Sequence, residues 1–390
     1  MFAAAAVAAP PENATGAASL DPPADAVLAE LPFLDSDEPN RVFVDLARAG
    51  GRPLHMLLDT GAADCVLTPL YARSLGVSVR AVKDTPYRQP TRLGRDLLFW
   101  VDTRSSDTGS KTGWEYGLLG GTFLAEYVID LDFAARRVRF LDAERYEVPE
   151  SSSEPDEAVV PIRIVGNRPA IDVAIGGQSL TVMVDTGAPI PGVLSGVAAK
   201  RVGLESRPLP GLGAAGVWGP VEVEFAEAES LRIGRFELSH VPLLVAPNGW
   251  YNMGTSSDSI IGYDVLAQFH VRIDYPRQRL WLRRVPSSPV TYAGVSYAEQ
   301  RRAGALVHPR KNGLVVNAVF PGSAAERLGL RAGDFIERRE SETRAAFETR
   351  AFETIADGRA ITVARELNDA WVGVPLPDGL PETTAGDAKD

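Results

Sequence analysis

One pattern of apolar and polar positions occurs twice along the chain. LLGGTFLAEYVIDLDFAARRVRFL, residues 118–141, lies over IIGYDVLAQFHVRIDYPRQRLWLR, residues 260–283, without a gap at a constant spacing of 142 residues. Leu119/Ile261, Gly120/Gly262, Leu124/Leu266, Ala125/Ala267 and Asp132/Asp274 match in kind. Upstream, LHMLLDTGA and TVMVDTGA set two Asp-Thr-Gly triplets 126 residues apart, so the second copy carries 16 extra residues between its landmarks. Each copy reads as a strand, a Gly-Gly turn (Gly50-Gly51; Gly176-Gly177) and a second strand running into Asp-Thr-Gly. An apolar stretch, a short helix (YARSLGV; AAKRVGL), an apolar-apolar-Gly segment, another short helix and an alternating hairpin follow. The order of elements predicts two homologous, mainly β lobes.

The strands that deliver Asp59 and Asp185 are apolar on both faces, as fully buried strands are. Burying a carboxylate without a partner is costly. If the lobes pack about a pseudo-two-fold axis, the two acids meet there and share one proton, because two adjacent carboxylates cannot both ionise cheaply. The ionised member can take a proton from water while the other donates to a carbonyl oxygen. The plainer reading is that each Asp satisfies local amides in a structural turn. A third triplet, Asp107-Thr108-Gly109, is flanked by polar residues and reads as a surface loop.

The paired motifs resemble the pepsin and retropepsin-like aspartic protease superfamily over about residues 38–284. The resemblance implies a bilobal, acid-protease-like β-barrel pseudo-dimer with Asp59 and Asp185 as the catalytic pair. It implies that Thr60 and Thr186 interlock beneath the pair, that Gly61 and Gly187 permit tight turns, and that Leu118–Gly120 and Ile260–Gly262 lie behind the active-site loops. It also implies a hairpin flap over the substrate. In the second copy GLGAAGVWGPVEVEF, with Gly216, Val217 and Trp218 near its tip, is the candidate. The first copy has less room, so its flap is expected to be short or absent, the reverse of a pepsin-like arrangement. The implied activity is cofactor-free, aspartic-type endopeptidase cleavage of polypeptides. The alternative is a non-catalytic peptide-binding protein that keeps the fold.

A third unit follows. GLVVNAVFPGSAAERLGLRAGDFI, residues 313–336, resembles a PDZ domain in the permuted bacterial arrangement, an α+β unit. RAAFETRAFETI, 344–355, would be its groove helix and AITVARELNDAWVGVPL its closing strands. By position, Tyr292, Ala293, Gly294 and Val295 would hold a peptide C-terminus, whose extended chain would add to a sheet edge. A plain start of a strand is the other reading of that tetrapeptide.

Composition fixes boundaries and exclusions. Residues 1–37 read as a disordered leader or signal remnant, 38–148 as lobe 1, 149–157 as a linker, 158–284 as lobe 2, 288–376 as the PDZ-like unit and 377–390 as a disordered tail. A formal charge of −11 without a basic patch argues against nucleic acid. Cys65 is the only cysteine and is expected to be buried and inert; the four histidines fall at no metal-ligand spacing, so no metal is expected. No run approaches the roughly 20 apolar residues of a membrane span. The Ala-rich start lacks the basic region of a secretory signal: read as the remnant of one it implies a periplasmic or secreted protein, and read as a plain disordered leader it leaves a cytoplasmic one open.

Overall fold

The computed structural model describes residues 21–36, 40–48, 51–77, 86–101, 116–216, 219–250, 258–286, 288–367 and 370–376. The chain is mainly β, 49% strand against 15% helix, the class that the repeated pattern predicts. Each copy builds its own sheet. In the first, Phe43–Leu46, Leu54–Leu58, Gly117–Leu119, Cys65–Leu67, Asp96–Val101 and Tyr87–Pro90 lie side by side in that order. In the second, the same places are taken by Arg168–Ile175, Gln178–Val184, Ile260–Ile261, Gly192–Ser195, Phe236–Ala246 and Gly219–Ile233, with Arg163–Val165 and Ser206–Gly216 added at the edges. In both, the strand that ends at Asp-Thr-Gly runs parallel to the apolar-apolar-Gly strand: Leu58 pairs with Leu119 and Val184 with Ile261. The short helices Pro69–Ser74 and Gly196–Arg201 start at Thr68 and Ser195, whose side chains accept the Tyr71 and Ala198 amides. Left-handed Gly76 and Gly203 follow the helix ends.

The two closing hairpins merge into one antiparallel sheet of six strands: Val27–Pro32, Arg137–Asp142, Tyr127–Asp132, Phe269–Asp274, Arg279–Arg284 and Glu157–Pro161. At its centre Asp130 pairs with Arg272, its own counterpart in the repeat, so the pseudo-two-fold axis passes between them. Burial would raise the Asp130 carboxyl, but the His270 hydrogen bond at 2.5 Å and the charges of Arg272 and Arg139 bring it down to about 2. Trp281, fully buried, stacks beneath the Arg272 guanidinium at 4.3 Å.

Two sequence boundaries move. The expected leader 1–37 contains an ordered strand, because Val27–Pro32 covers the edge that Arg137–Asp142 would otherwise leave open. The expected linker 149–157 ends in its symmetry counterpart, since Glu157 starts the opposite edge strand, buried and accepting the Trp281 indole N–H at 3.1 Å. The segment before it is pinned: Arg279 donates to the Val148 carbonyl, and Arg235 to those of Ser152 and Glu154. The region expected as a surface loop around Asp107 lies outside the described residues, as does the tail from residue 377.

The third unit is a five-stranded antiparallel sheet, Ala305–Arg310, Gly313–Val319, Phe335–Glu337, Ile361–Leu367 and Ala370–Leu376, packed against the helices Tyr297–Ala303, Ala324–Arg327 and Arg344–Ala356. It is not tethered loosely. Tyr292, Tyr297, Leu306, Ala318 and Phe320 share one apolar cluster with Leu209, Leu212, Val223, Phe225 and Leu244 of lobe 2. Glu227 of lobe 2 binds Tyr297 Oη at 2.5 Å, Arg301 at 3.2 Å and, within its own lobe, His240 at 2.9 Å.

Candidate active site

Both Asp-Thr-Gly turns leave a buried strand and meet at the axis. The amides of Asp59 and Asp185 donate to the carbonyls of Leu119 and Ile261, at 3.1 and 2.9 Å, which holds each loop against its own apolar-apolar-Gly strand. Behind the loops there is no room for a side chain: a Cβ on Gly120 would lie 2.9 Å from the Ala62 carbonyl oxygen, and one on Gly262 would lie 2.7 Å from that of Ala188.

The threonines interlock across the axis. The Thr60 amide donates to Thr186 Oγ1 and the Thr186 amide to Thr60 Oγ1, both at 3.1 Å. Each hydroxyl in turn donates to a carbonyl of the opposite lobe, Thr60 to Val184 at 2.6 Å and Thr186 to Leu58 at 2.7 Å. Both residues are fully buried, so every hydroxyl is satisfied as donor and acceptor by the other lobe. Four bonds therefore fix the separation of the two acid-bearing loops.

The glycines are placed reciprocally. A Cβ on Gly61 would sit 2.5–2.6 Å from the carboxyl oxygens of Asp185, and one on Gly187 would sit 2.7 Å from those of Asp59. Each acid thus lies over the glycine of the other copy, a position that only a residue without a side chain leaves open. Asp59 Oδ1 accepts the Ala62 amide at 2.9 Å; Asp185 Oδ1 accepts the Gly187 and Ala188 amides at 2.9 and 3.1 Å. The carboxyls also hydrogen-bond to each other.

The pair is electrostatically unequal. Burial raises the Asp59 carboxyl, and the Ala62 amide and the charge of Arg41 pull it back. Burial and the adjacent Asp59 charge push Asp185 well above the ordinary carboxylate range. Both carboxyls are raised by burial, so one proton is held between the two acids above the usual range.

Other expected site residues fare differently. Gly216 ends the strand Ser206–Gly216, which pairs with Gly219–Ile233 in a long hairpin where Gly216 faces Gly219; Val217 and Trp218, at its tip, lie outside the described residues. The described residues of lobe 1 hold no counterpart of Ser206–Gly216. Tyr292–Val295 is neither an open loop nor a long strand. Ala293 and Gly294, at φ 54° and 76°, form a two-residue hairpin turn between Thr291–Tyr292 and Val295–Ser296, and the chain enters the helix Tyr297–Ala303 at once. That strand is too short to offer an edge to an added peptide strand. The buried Cys65 thiol, pushed up to about 11 by burial, accepts the Gly120 amide at 3.3 Å. Among the described residues no group of three His, Cys, Asp or Glu side chains could hold a metal ion, and no helix is long and apolar enough to cross a membrane.

Two residues at the site escape sequence reasoning. Arg41, next to the Val42 carbonyl that accepts the Leu58 amide, brings the positive charge felt by Asp59. Asp264 sits one residue beyond Tyr263, whose amide grips the Ala188 carbonyl of the second active-site loop at 2.9 Å. Its only sequence signal is a mismatch in the repeat, where lobe 1 has Thr122.

Fold and site together define a two-lobed, acid-protease-like β protein with one carboxyl from each lobe at the junction. Residues 171–265, which include Asp185 and Asp264, match the family model described as aspartyl protease. No curated protein matches the chain. Among solved structures it is similar to a retropepsin-like aspartic protease from Rickettsia conorii, at 23% identity over 35% of this chain and 96% of that one, with a TM-score of 0.25. It is similar to EIAV protease complexed with the inhibitor HBY-793, at 27% identity over 25% and 85% of the two chains and a TM-score of 0.20. Basic 7S globulin from soybean is similar at 14% identity over 69% and 97%, with a TM-score of 0.36.

Proposed function

We propose that the chain is an aspartic-type endopeptidase in which Asp59 and Asp185 activate one water between them. The observation that carries this reading is the reciprocal seating of each carboxyl over the glycine of the opposite copy. Asp59, the more acidic under Arg41, takes a proton as the water oxygen attacks the peptide carbonyl carbon; Asp185 gives its proton to the carbonyl oxygen. In the resulting gem-diol the C–N bond then breaks, the amine nitrogen receives the proton from Asp59, and a diol hydroxyl returns its proton to Asp185 as the acid product forms. No covalent enzyme intermediate is needed. The hairpin Ser206–Ile233 is the flap of this reading, and that of lobe 1 is short or absent.

The third unit, read as PDZ-like, holds polypeptide segments or C-termini, and the leader reads as an export signal toward the periplasm or exterior. The test is cleavage of an unfolded protein from about pH 3 to about pH 8 by wild type, Asp59→Asn and Asp185→Asn. Cleavage is expected only from wild type, with a fall of at least about a thousandfold in each variant. Equal cleavage by all three chains would remove the mechanism, and none by any would favour a peptide-binding protein that keeps the fold.

A further inference from the structure

We infer that the Thr291–Gly294 turn is a carboxylate site that the chain fills with its own Asp264, and that the free C-terminal carboxylate of a peptide competes with Asp264 for it. The inference rests on the reading of the third unit as a peptide-binding module, and adds what holds that module closed.

The occupant is visible. Asp264 Oδ1 accepts the Gly294 amide at 2.8 Å and the Thr291 hydroxyl at 2.7 Å, and the Ala293 amide also bonds to this carboxyl. Consecutive residues at positive φ turn successive N–H groups toward one point, an arrangement suited to an anion. Asp264 belongs to lobe 2, in the helix Tyr263–Leu266, so the contact is made between two units and not within the turn's own unit. Its other oxygen, Oδ2, is buried and has no hydrogen-bond partner among the described residues. A side chain that uses only one oxygen leaves the site incompletely satisfied.

Space for a rival lies alongside. A cavity of about 330 Å³ is lined by Asn40, Asp264, Gln268, Thr291, Gly294 and Arg344. Arg344, which pairs with Glu348 at 2.7 Å, puts a guanidinium on the cavity wall, where an incoming carboxylate would be attracted.

Occupancy of the turn reaches the catalytic pair through three links. The Ala188 amide donates to Asp185 Oδ1 at 3.1 Å, the Tyr263 amide donates to the Ala188 carbonyl at 2.9 Å, and the next residue is Asp264. Asp264 is therefore a positioning residue for the second active-site loop, and its release would loosen the helix start that grips that loop.

The test uses the full chain carrying Asp59→Asn, so that probes are not cleaved. A fluorescent decapeptide with a free C-terminal carboxylate and its C-terminally amidated twin are compared by anisotropy. Adding Asp264→Ala is expected to tighten the free acid by about tenfold or more, because the self-occupied fraction is removed, and to leave the amide unchanged. Asp264→Asn, which keeps the shape and one acceptor, is expected to give a smaller gain with the same preference for the acid, and it serves if the alanine variant unfolds. In the alanine variant, acetate should raise the melting temperature, and in the Asp59→Asn parent it should not. Equal binding of acid and amide, or no gain in either Asp264 variant, would overturn the inference. Binding is read without catalysis, so a wild-type chain that cleaves nothing would sink the peptidase reading and leave this one standing.

Discussion

The two lobes carry the same hydrogen-bonded relay away from the acids and end it in different places. In lobe 1 the Ala62 amide holds Asp59, the Gly121 amide holds the Ala62 carbonyl at 2.8 Å, and the next residue, Thr122, turns inward, its Oγ1 accepting the Cys65 amide at 3.3 Å. In lobe 2 the same steps run from Asp185 through Ala188 and Tyr263, and the next residue, Asp264, reaches out to the third unit. The long hairpin Ser206–Ile233 follows the same division: lobe 2 has it, braced at its base by Phe320 and Tyr297, and the described part of lobe 1 has no counterpart. Symmetry is kept where the acids must meet and is lost where only one lobe has a neighbour. The axis itself makes the same point. Identical copies would put Asp beside Asp, or Arg beside Arg, in the middle of a buried sheet, whereas this chain sets Asp130 against Arg272.

The sharpest way to break the symmetric part is at the glycines. Gly61→Ala pushes a methyl into the Asp185 carboxyl, and Gly187→Ala pushes one into that of Asp59. Neither carboxyl can retreat without leaving its amide donors. Each variant is expected to lose at least about a hundredfold in kcat/KM for an unfolded substrate, by equal amounts if the halves contribute equally. A tenfold difference between the two would show that one lobe dominates.

Next in size is the axis pair. Asp130→Ala removes the buried carboxylate that pairs with Arg272 at 3.2 Å and leaves the longer Asp21 contact at 3.7 Å beside Trp281, and should cost about 3–5 kcal/mol in denaturant unfolding. Arg272→Asp, which restores identity between the copies, should be at least as damaging. A cost below about 1 kcal/mol for Asp130→Ala would mean that the shared sheet does not hold the lobes together.

Much of this was legible in the residues. The spacing of 142 residues located both closing hairpins, and the apolar approaches to Asp59 and Asp185 distinguished them from the polar-flanked Asp107. Edge strands were not legible: Val27–Pro32 and Glu157–Pro161 lie in Ala/Pro-rich and Ser/acid-rich surroundings that read as leader and linker, and their strand state is set by the open edges they cover. The Tyr292–Val295 turn was found but not its occupant, because the Asp264 that fills it is 30 residues away from Gly294 and belongs to another unit. Arg41 gave no local signal at all. Contacts across units are fixed by packing, which a linear pattern does not carry.

Two buried acids outside the Asp59–Asp185 pair, Asp264 and Asp130, should respond to pH with opposite signs. Asp264 is raised from 3.8 to about 6 by burial, against the pull of Thr291 and the turn amides, so the folded chain favours its protonated form. Its contribution is fully present below pH 3.8 and is lost as pH rises through about 6, about 3 kcal/mol in all. Asp130, lowered to about 2, contributes above pH 3.8 and loses about 2 kcal/mol as pH falls through 2. Unfolding free energies measured against pH should therefore lose the decline between about pH 4 and 6 in Asp264→Asn, and lose the acid-side decline in Asp130→Asn. An unchanged profile in Asp264→Asn would show that its carboxyl titrates as though exposed.

The smallest effect compares the acceptors behind the two loops. The Gly262 amide donates to the Pro191 carbonyl at 2.8 Å, while its counterpart Gly120 donates to the Cys65 sulfur at 3.3 Å, with Cys65 at the position equivalent to Pro191. Lobe 1 has thus replaced a backbone acceptor with a side-chain acceptor, a weaker one at a longer distance. Cys65→Ser keeps an acceptor of similar size and is expected to change stability by less than about 1 kcal/mol, whereas Cys65→Val fills the space and strands the Gly120 amide, costing about 1–2 kcal/mol. If the valine variant were as stable as the serine variant, the sulfur would be mere packing. The Gly120 contact would then contribute nothing to holding the Asp59 loop, which would rest on the Asp59–Leu119 and Gly121–Ala62 bonds.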